Sequence, residues 1–229
     1  MASISFWETV CIPLCQKTAQ LLSNKQEALL QIKWTDGEAN TDSGFSSLAC
    51  ACAKEAWLSI RGLFPDCSDI SVDCKSPDIG LTFSRGGTFA TGKIELKSGK
   101  GAGCIPGSTI GNLDINEPVI FCLRNEGRFE FRYGQYHSCM GETDRDKFQD
   151  RTPRPFVNFQ KMSDISVPIK YIKKEKGDWI NHYAKCALVR TKVLSKQGRS
   201  WQDDLVQRLL NLFIKETSVE EFIRLKSGL

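Results

Sequence analysis

Ser76-Pro77-Asp78-Ile79-Gly80-Leu81-Thr82-Phe83 and Gly92-Lys93-Ile94-Glu95-Leu96-Lys97-Ser98-Gly99 form the stretch on which the reading of this chain turns. Each is a short run of strand composition, and Arg85-Gly86-Gly87 between them reads as a hairpin turn, since paired glycines accept the positive φ of tight turns. In a strand, residues i and i+2 share a face. Glu95 and Lys97 therefore project together, while Ile94 and Leu96 point the other way into a core. Folding the hairpin back brings Asp78 near Glu95. Two carboxylates a few ångströms apart repel, and a divalent cation with oxygen ligands is the usual remedy. Magnesium suits such a site, because it takes one or two carboxylates and keeps positions for water and phosphate oxygen.

Pro77-Asp78, sixteen intervening residues, then Glu95-Leu96-Lys97 resembles the PD-(D/E)xK nuclease motif, most familiar from type II restriction endonucleases. The resemblance spans only this hairpin and leaves out any part that sets specificity. It implies an α/β fold of the restriction-endonuclease-like kind, a central mixed β-sheet flanked by helices. It also implies Mg²⁺ bound by Asp78, Glu95 and the Leu96 carbonyl, with Lys97 beside the attacked phosphate. In the resembled enzymes a carboxylate from a preceding helix often supports the metal shell. Glu55 is placed for that role, and an exposed helix glutamate is the plain alternative. Asp73-Cys74-Lys75 is a rival register, disfavoured because its partner carboxylate would have to be Glu55, on a helix. A solvated strand face, with Glu95 and Lys97 as a surface pair of little consequence, is the reading to beat.

The remaining sequence sets the frame. A chain of 229 residues, with 41% hydrophobic and 25% charged residues, is enough for one globular domain with a full core. The net charge of +4 is uneven: residues 121–200 hold seventeen Lys or Arg against nine Asp or Glu, which leaves the rest net acidic. That asymmetry fits a protein meeting phosphate on one side and a cation on the other. The ten cysteines lack the paired C-x2-C spacing of a zinc site. They read as reduced, mostly buried thiols of a cytoplasmic protein. The N-terminus has no basic leader region, and no apolar run approaches the ~20 residues of a membrane span.

In order, residues 5–64 read as helices (5–32, with a break at Ser23-Asn24, and 46–64). The Ala-Cys-Ala-Cys-Ala run of the second suggests tight packing on a neighbour. Residues 69–133 read as the catalytic sheet core: strands at 70–73, 79–83 and 88–96, a buried strand at 118–123, and an alternating strand at 128–133 after the Asn125-Glu126-Gly127 turn. Residues 98–103 read as a glycine-rich loop that is not a P-loop; Lys100 in it either touches a DNA phosphate or is plain surface. Residues 134–176 read as a DNA-reading loop region. Its Arg145, Lys147, Arg151 and Arg154 are the candidates for base and phosphate contact, or else a self-neutralising solvated loop. Residues 178–226 read as C-terminal helices that pack on the sheet or on a second subunit. His137 and His182, the two histidines, give no support for a catalytic pair.

The expected function is Mg²⁺-dependent cleavage of double-stranded DNA at a short specific sequence, leaving 5′-phosphate and 3′-hydroxyl ends. The small single domain favours a type II restriction enzyme, working as a homodimer on a palindromic site beside a cognate methyltransferase. A repair or structure-specific nuclease and a non-catalytic DNA-binding module remain the alternatives.

Overall fold

In the computed structural model, the residues described are 5–34, 43–74, 78–101, 103–108, 113–140 and 155–175. The chain divides into two compact units, Met1–Trp179 and Ile180–Leu229, and all described residues belong to the first. The expected C-terminal helices therefore lie outside the described residues.

Helix α1 (Phe6–Ser23) opens with a capping box in which the Ser5 hydroxyl accepts from the Glu8 amide while the Glu8 carboxylate accepts from the Ser5 amide. It ends where the sequence breaks its periodicity, at Asn24, and α2 (Gln26–Leu30) follows. Helix α3 (Ser43–Ile60) buries Ala49, Cys50, Cys52, Ala53 and Ala56, small residues that let its backbone approach α1 closely. A single 3₁₀ turn, Arg61–Leu63, closes it.

Among the described residues eight strands follow: β1 (Cys67–Asp73), β2 (Ile79–Arg85), β3 (Thr88–Lys100), β4 (Cys104–Pro106), β5 (Pro118–Asn125), β6 (Arg128–Gln135), β7 (Phe156–Asn158) and β8 (Ser163–Asp164). Six build one sheet in the order β1-β2-β3-β5-β6-β8, and β4 pairs with β7 in a second, two-stranded sheet. The large sheet is mixed: β3 and β5 run parallel, every other pair antiparallel. The chain is thus α/β, a mixed six-stranded sheet with flanking helices. Among the described residues, no helix is long and apolar enough to cross a membrane.

The predicted hairpin is present. Gly86 and Gly87 sit at φ 54° and 80°, the two positive values of a type I′ turn, whose twist matches the strands it joins. One face of the sheet carries the main core. Ile79, Leu81 and Phe83 of β2, Ile94 and Leu96 of β3, Ile120 and Cys122 of β5, and Phe131 and Tyr133 of β6 pack with α1 and α3. The opposite face holds Phe121 edge-on to Phe159 (5.5 Å between centroids) next to the small sheet.

Two expectations are corrected. The segment 98–100 is strand, not loop: β3 runs on to Lys100, pairing Ser98, Gly99 and Lys100 with Cys122, Leu123 and Arg124. Gly99 is there because a Cβ would meet Ile105 at 2.9 Å, so the missing side chain makes room between strands rather than loosening the chain. The turn begins only at Gly101, φ 67°. Nor are the cysteines all reduced: Cys50 of α3 is joined to Cys74, just past β1, with Cα atoms 6.2 Å apart. Cys11, Cys15, Cys52, Cys122 and Cys139 are buried as expected. Burial pushes the Cys11 thiol up to about 12, which keeps it protonated and inert.

Candidate functional site

The register of β2 on β3 builds the site. Ile79 faces Ile94, so Asp78, one step earlier, stands beside Glu95 on the face turned away from the helices. Asp78 extends the ladder with its side chain, its Oδ1 accepting from the Leu96 amide at 3.3 Å. In a strand the N–H and C=O of one residue point to the same edge. The Leu96 carbonyl therefore also faces the edge where Asp78 sits.

Glu95 is 2% exposed, and each of its oxygens has cationic company. Oε1 pairs with the Lys97 ammonium and accepts from the Ser108 hydroxyl at 2.8 Å; Oε2 accepts from Lys93 Nζ at 2.9 Å. Lys93 also reaches Asp78 Oδ2 at 2.7 Å and Glu117 Oε2 at 3.5 Å. Lys93, Glu95 and Lys97 are the i, i+2, i+4 residues of one strand face. Glu117 arrives from the lead-in to the neighbouring strand: Val119 pairs with Glu95 in parallel, and Glu117, two residues earlier, lands level with Lys93.

A second layer fixes Glu95 from above. The chain leaving β4 passes over the site at Gly107 and Ser108, where the Ser108 amide donates to the hydroxyl of the fully buried Tyr136, on the short helix α4 (Tyr136–Cys139). A side chain at Gly107 would run into that hydroxyl, and the Gly107 amide donates to the Pro155 carbonyl at 2.7 Å.

These surroundings split the three carboxyls electrostatically. Burial alone would raise Glu95, but the charges and hydrogen bonds of Lys97 and Lys93 outweigh it and bring the group down to about 2. Asp78 is raised, first by burial and then by the Glu95 charge, with Lys93 opposing. Glu117 rises to about 8, driven by burial and by its acidic neighbours against the single attraction of Lys93. Glu95 is therefore a fixed anion, and Glu117 holds a proton near neutrality.

Of the candidates from sequence, Asp78, Glu95, Leu96 and Lys97 are brought together. Glu55 is not: it lies on the solvent side of α3, its side chain 55% exposed, in a 3.8 Å pair with Lys25. Asp73, centre of the rival register, is exposed at the end of β1, and Lys75 and Pro77 lie outside the described residues. Lys100 is exposed at the end of β3. Arg145, Lys147, Arg151 and Arg154 lie outside the described residues. Lys93, Glu117, Ser108 and Tyr136 were not anticipated. Strand parity around Glu95 already carried the signal for Lys93. The other three are set by the meeting of distant segments.

Hard carboxylate oxygens from Asp78 and Glu95, beside a strand-edge carbonyl, are the donor set that Mg²⁺ takes. Among the described residues no group of three or more His, Cys, Asp or Glu side chains is placed so that it could hold a metal ion as it stands; the three carboxyl groups here are gathered round the Lys93 ammonium instead. No family model, curated protein or solved structure matches this chain.

Proposed function

We propose that this chain is a Mg²⁺-dependent endodeoxyribonuclease with a restriction-endonuclease-like fold, cutting double-stranded DNA at a short specific sequence. One observation carries the reading: Asp78 and Glu95 share a strand-pair face, and Lys97 is held on Glu95. Asp78, Glu95 and the Leu96 carbonyl would hold the ion. Bound Mg²⁺ would polarise the scissile phosphate and acidify a water. Lys97 would orient that water and donate to the oxygens that gain charge as phosphorus becomes five-coordinate. Attack of the water oxygen on phosphorus breaks the P–O3′ bond, leaving a 5′-phosphate and a 3′-hydroxyl. Ser108, backed by Tyr136, would keep Glu95 from turning while the charges rearrange. Lys100, Arg145, Lys147, Arg151 and Arg154 remain the candidate DNA-binding residues. A homodimer, with a cognate methyltransferase encoded nearby, belongs to the same reading.

A second reading is favoured by Lys93. A carboxylate cluster with its own counter-ion needs no metal, which suits a DNA-binding module that does not cut. Supercoiled plasmid incubated with the protein, with and without Mg²⁺, tests both. Discrete bands that need Mg²⁺ and vanish in Asp78→Ala support the sequence-specific nuclease. Cutting confined to junctions or ends moves the assignment to a structure-specific nuclease. A mobility shift without cutting across Mg²⁺ and Mn²⁺ supports the non-catalytic module.

A further inference from the structure

The oxygens around Lys93 are those that a bound ion would need. Asp78 spends Oδ1 on the Leu96 amide, and Glu95 spends Oε1 on Lys97 and Ser108. What remains, Asp78 Oδ2 and Glu95 Oε2, goes to Lys93 at 2.7 and 2.9 Å, with Glu117 Oε2 at 3.5 Å. The three oxygens come from separate segments: the lead-in to β2, β3, and the lead-in to β5. A cation at their centre relieves the repulsion between the Asp78 and Glu95 charges. The Lys93 side chain is 40% exposed, against 10% for Glu117 and 2% for Glu95, so it reaches the cage from the solvent side. Its four-carbon stem can swing out while Asp78 and Glu95 stay fixed by their other bonds.

We propose that Lys93 is a tethered counter-ion that occupies the cation position among Asp78, Glu95 and Glu117, so that a divalent ion binds only by displacing it. This inference rests on the metal-dependent reading above and deepens it. The ammonium keeps the cage assembled before metal arrives, and its departure exchanges one positive charge for two. Glu117 thereby joins the cage as a third ligand, releasing its proton to solvent as the divalent ion enters. The lysine makes the resting site weak for metal, because every ion that enters must first part the ammonium from all three carboxyl groups.

The test is Mn²⁺ binding to the full chain, followed by electron paramagnetic resonance and by calorimetry, in the wild type, Lys93→Met and Lys97→Met. Lys97→Met controls for the loss of one positive charge beside Glu95. Lys93→Met should bind Mn²⁺ about tenfold or more tighter than wild type, and tighter than Lys97→Met. Equal or weaker binding by Lys93→Met, with the wild type still binding, overturns the displacement and leaves the nuclease reading standing. No binding by wild type or Lys93→Met at millimolar Mn²⁺ overturns the metal reading itself, and this inference with it. Should Lys93→Met fail to fold, the wild type carries the test through its ¹⁵N-lysine ammonium signals. Mg²⁺ should convert the Lys93 resonance from a protected ion pair to fast exchange with water, and an unchanged resonance at saturating metal overturns the proposal.

Discussion

The two faces of β3 differ by a single residue step and by everything in their physics. Ile94 and Leu96 point into the helix-covered core, where shape and apolar area decide stability. Lys93, Glu95 and Lys97 point the other way, into a cluster where each buried charge is tolerable only through its partners. The strand is rigid because of the first face, and that rigidity presents the second in fixed geometry. Trimming an apolar group from the core face weakens the whole unit. Removing one member of the charged face leaves a particular partner stranded.

The sharpest way to break the comparison is Glu95→Ala. It strands Lys97, takes one of three carboxyl partners from Lys93 and leaves the Ser108 hydroxyl without its acceptor, so cleavage should vanish and about 3–5 kcal/mol of stability should go, read by urea denaturation. Ile94→Ala removes packing from the other face of the same strand. It should cost about 2–5 kcal/mol while DNA cutting per folded molecule stays at the wild-type level. Were it to abolish cutting in fully folded protein, the two faces would not be separable as described.

A smaller effect appears in the pH dependence. Glu117, raised to about 8 from an ordinary 4.5, keeps its proton in the fold where the unfolded chain has lost it. Its contribution is therefore present below about 4.5 and is lost as pH rises towards 8. Glu95, lowered to about 2, works in the opposite sense, and its contribution is lost as pH falls from 4.5 towards 2. Glu117→Gln should flatten the decline in melting temperature between pH 5 and 8 and leave the acid limb intact. Smallest of all is Arg85→Ala. Its 3.0 Å pair with Asp66 is exposed on both sides, so the change should cost about 0–1 kcal/mol and less still at high salt.

Much of this geometry could be read from the chain because it depends on local rules. Strand parity separates Glu95 and Lys97 from Ile94 and Leu96, and Gly86-Gly87 sets the turn that returns Asp78 to Glu95. Both need only neighbours in sequence. What escaped depends on segments far apart in the chain. Gly99 reads as a strand breaker until Ile105 and Phe121 are seen crowding the space where its side chain would be. Glu117 has no local mark, since only the parallel pairing of β3 with β5 brings it level with Lys93. Ser108 meets Glu95, and Tyr136 meets Ser108, through a chain crossing that no periodicity announces. Cys50 and Cys74 become partners because β1 packs on α3. Lys93 was legible in principle: it lies two residues before Glu95, on the same face, but among the unspecified residues between the motif's Pro77-Asp78 and Glu95-Leu96-Lys97 halves.

The central claim is that Asp78, Glu95 and Lys97 form a cation-dependent phosphate-cutting centre, and an end-labelled duplex carrying the cleaved sequence tests it most directly. With Mg²⁺, wild-type protein should release a fragment bearing a 5′-phosphate. Lys97→Met should bind the same duplex, keep the wild-type circular dichroism spectrum and cut it at least about a thousandfold more slowly, losing both the water's orientation and the stabilisation of charge on the phosphorane. Cutting by Lys97→Met at the wild-type rate, or by wild type in excess chelator, would contradict the account.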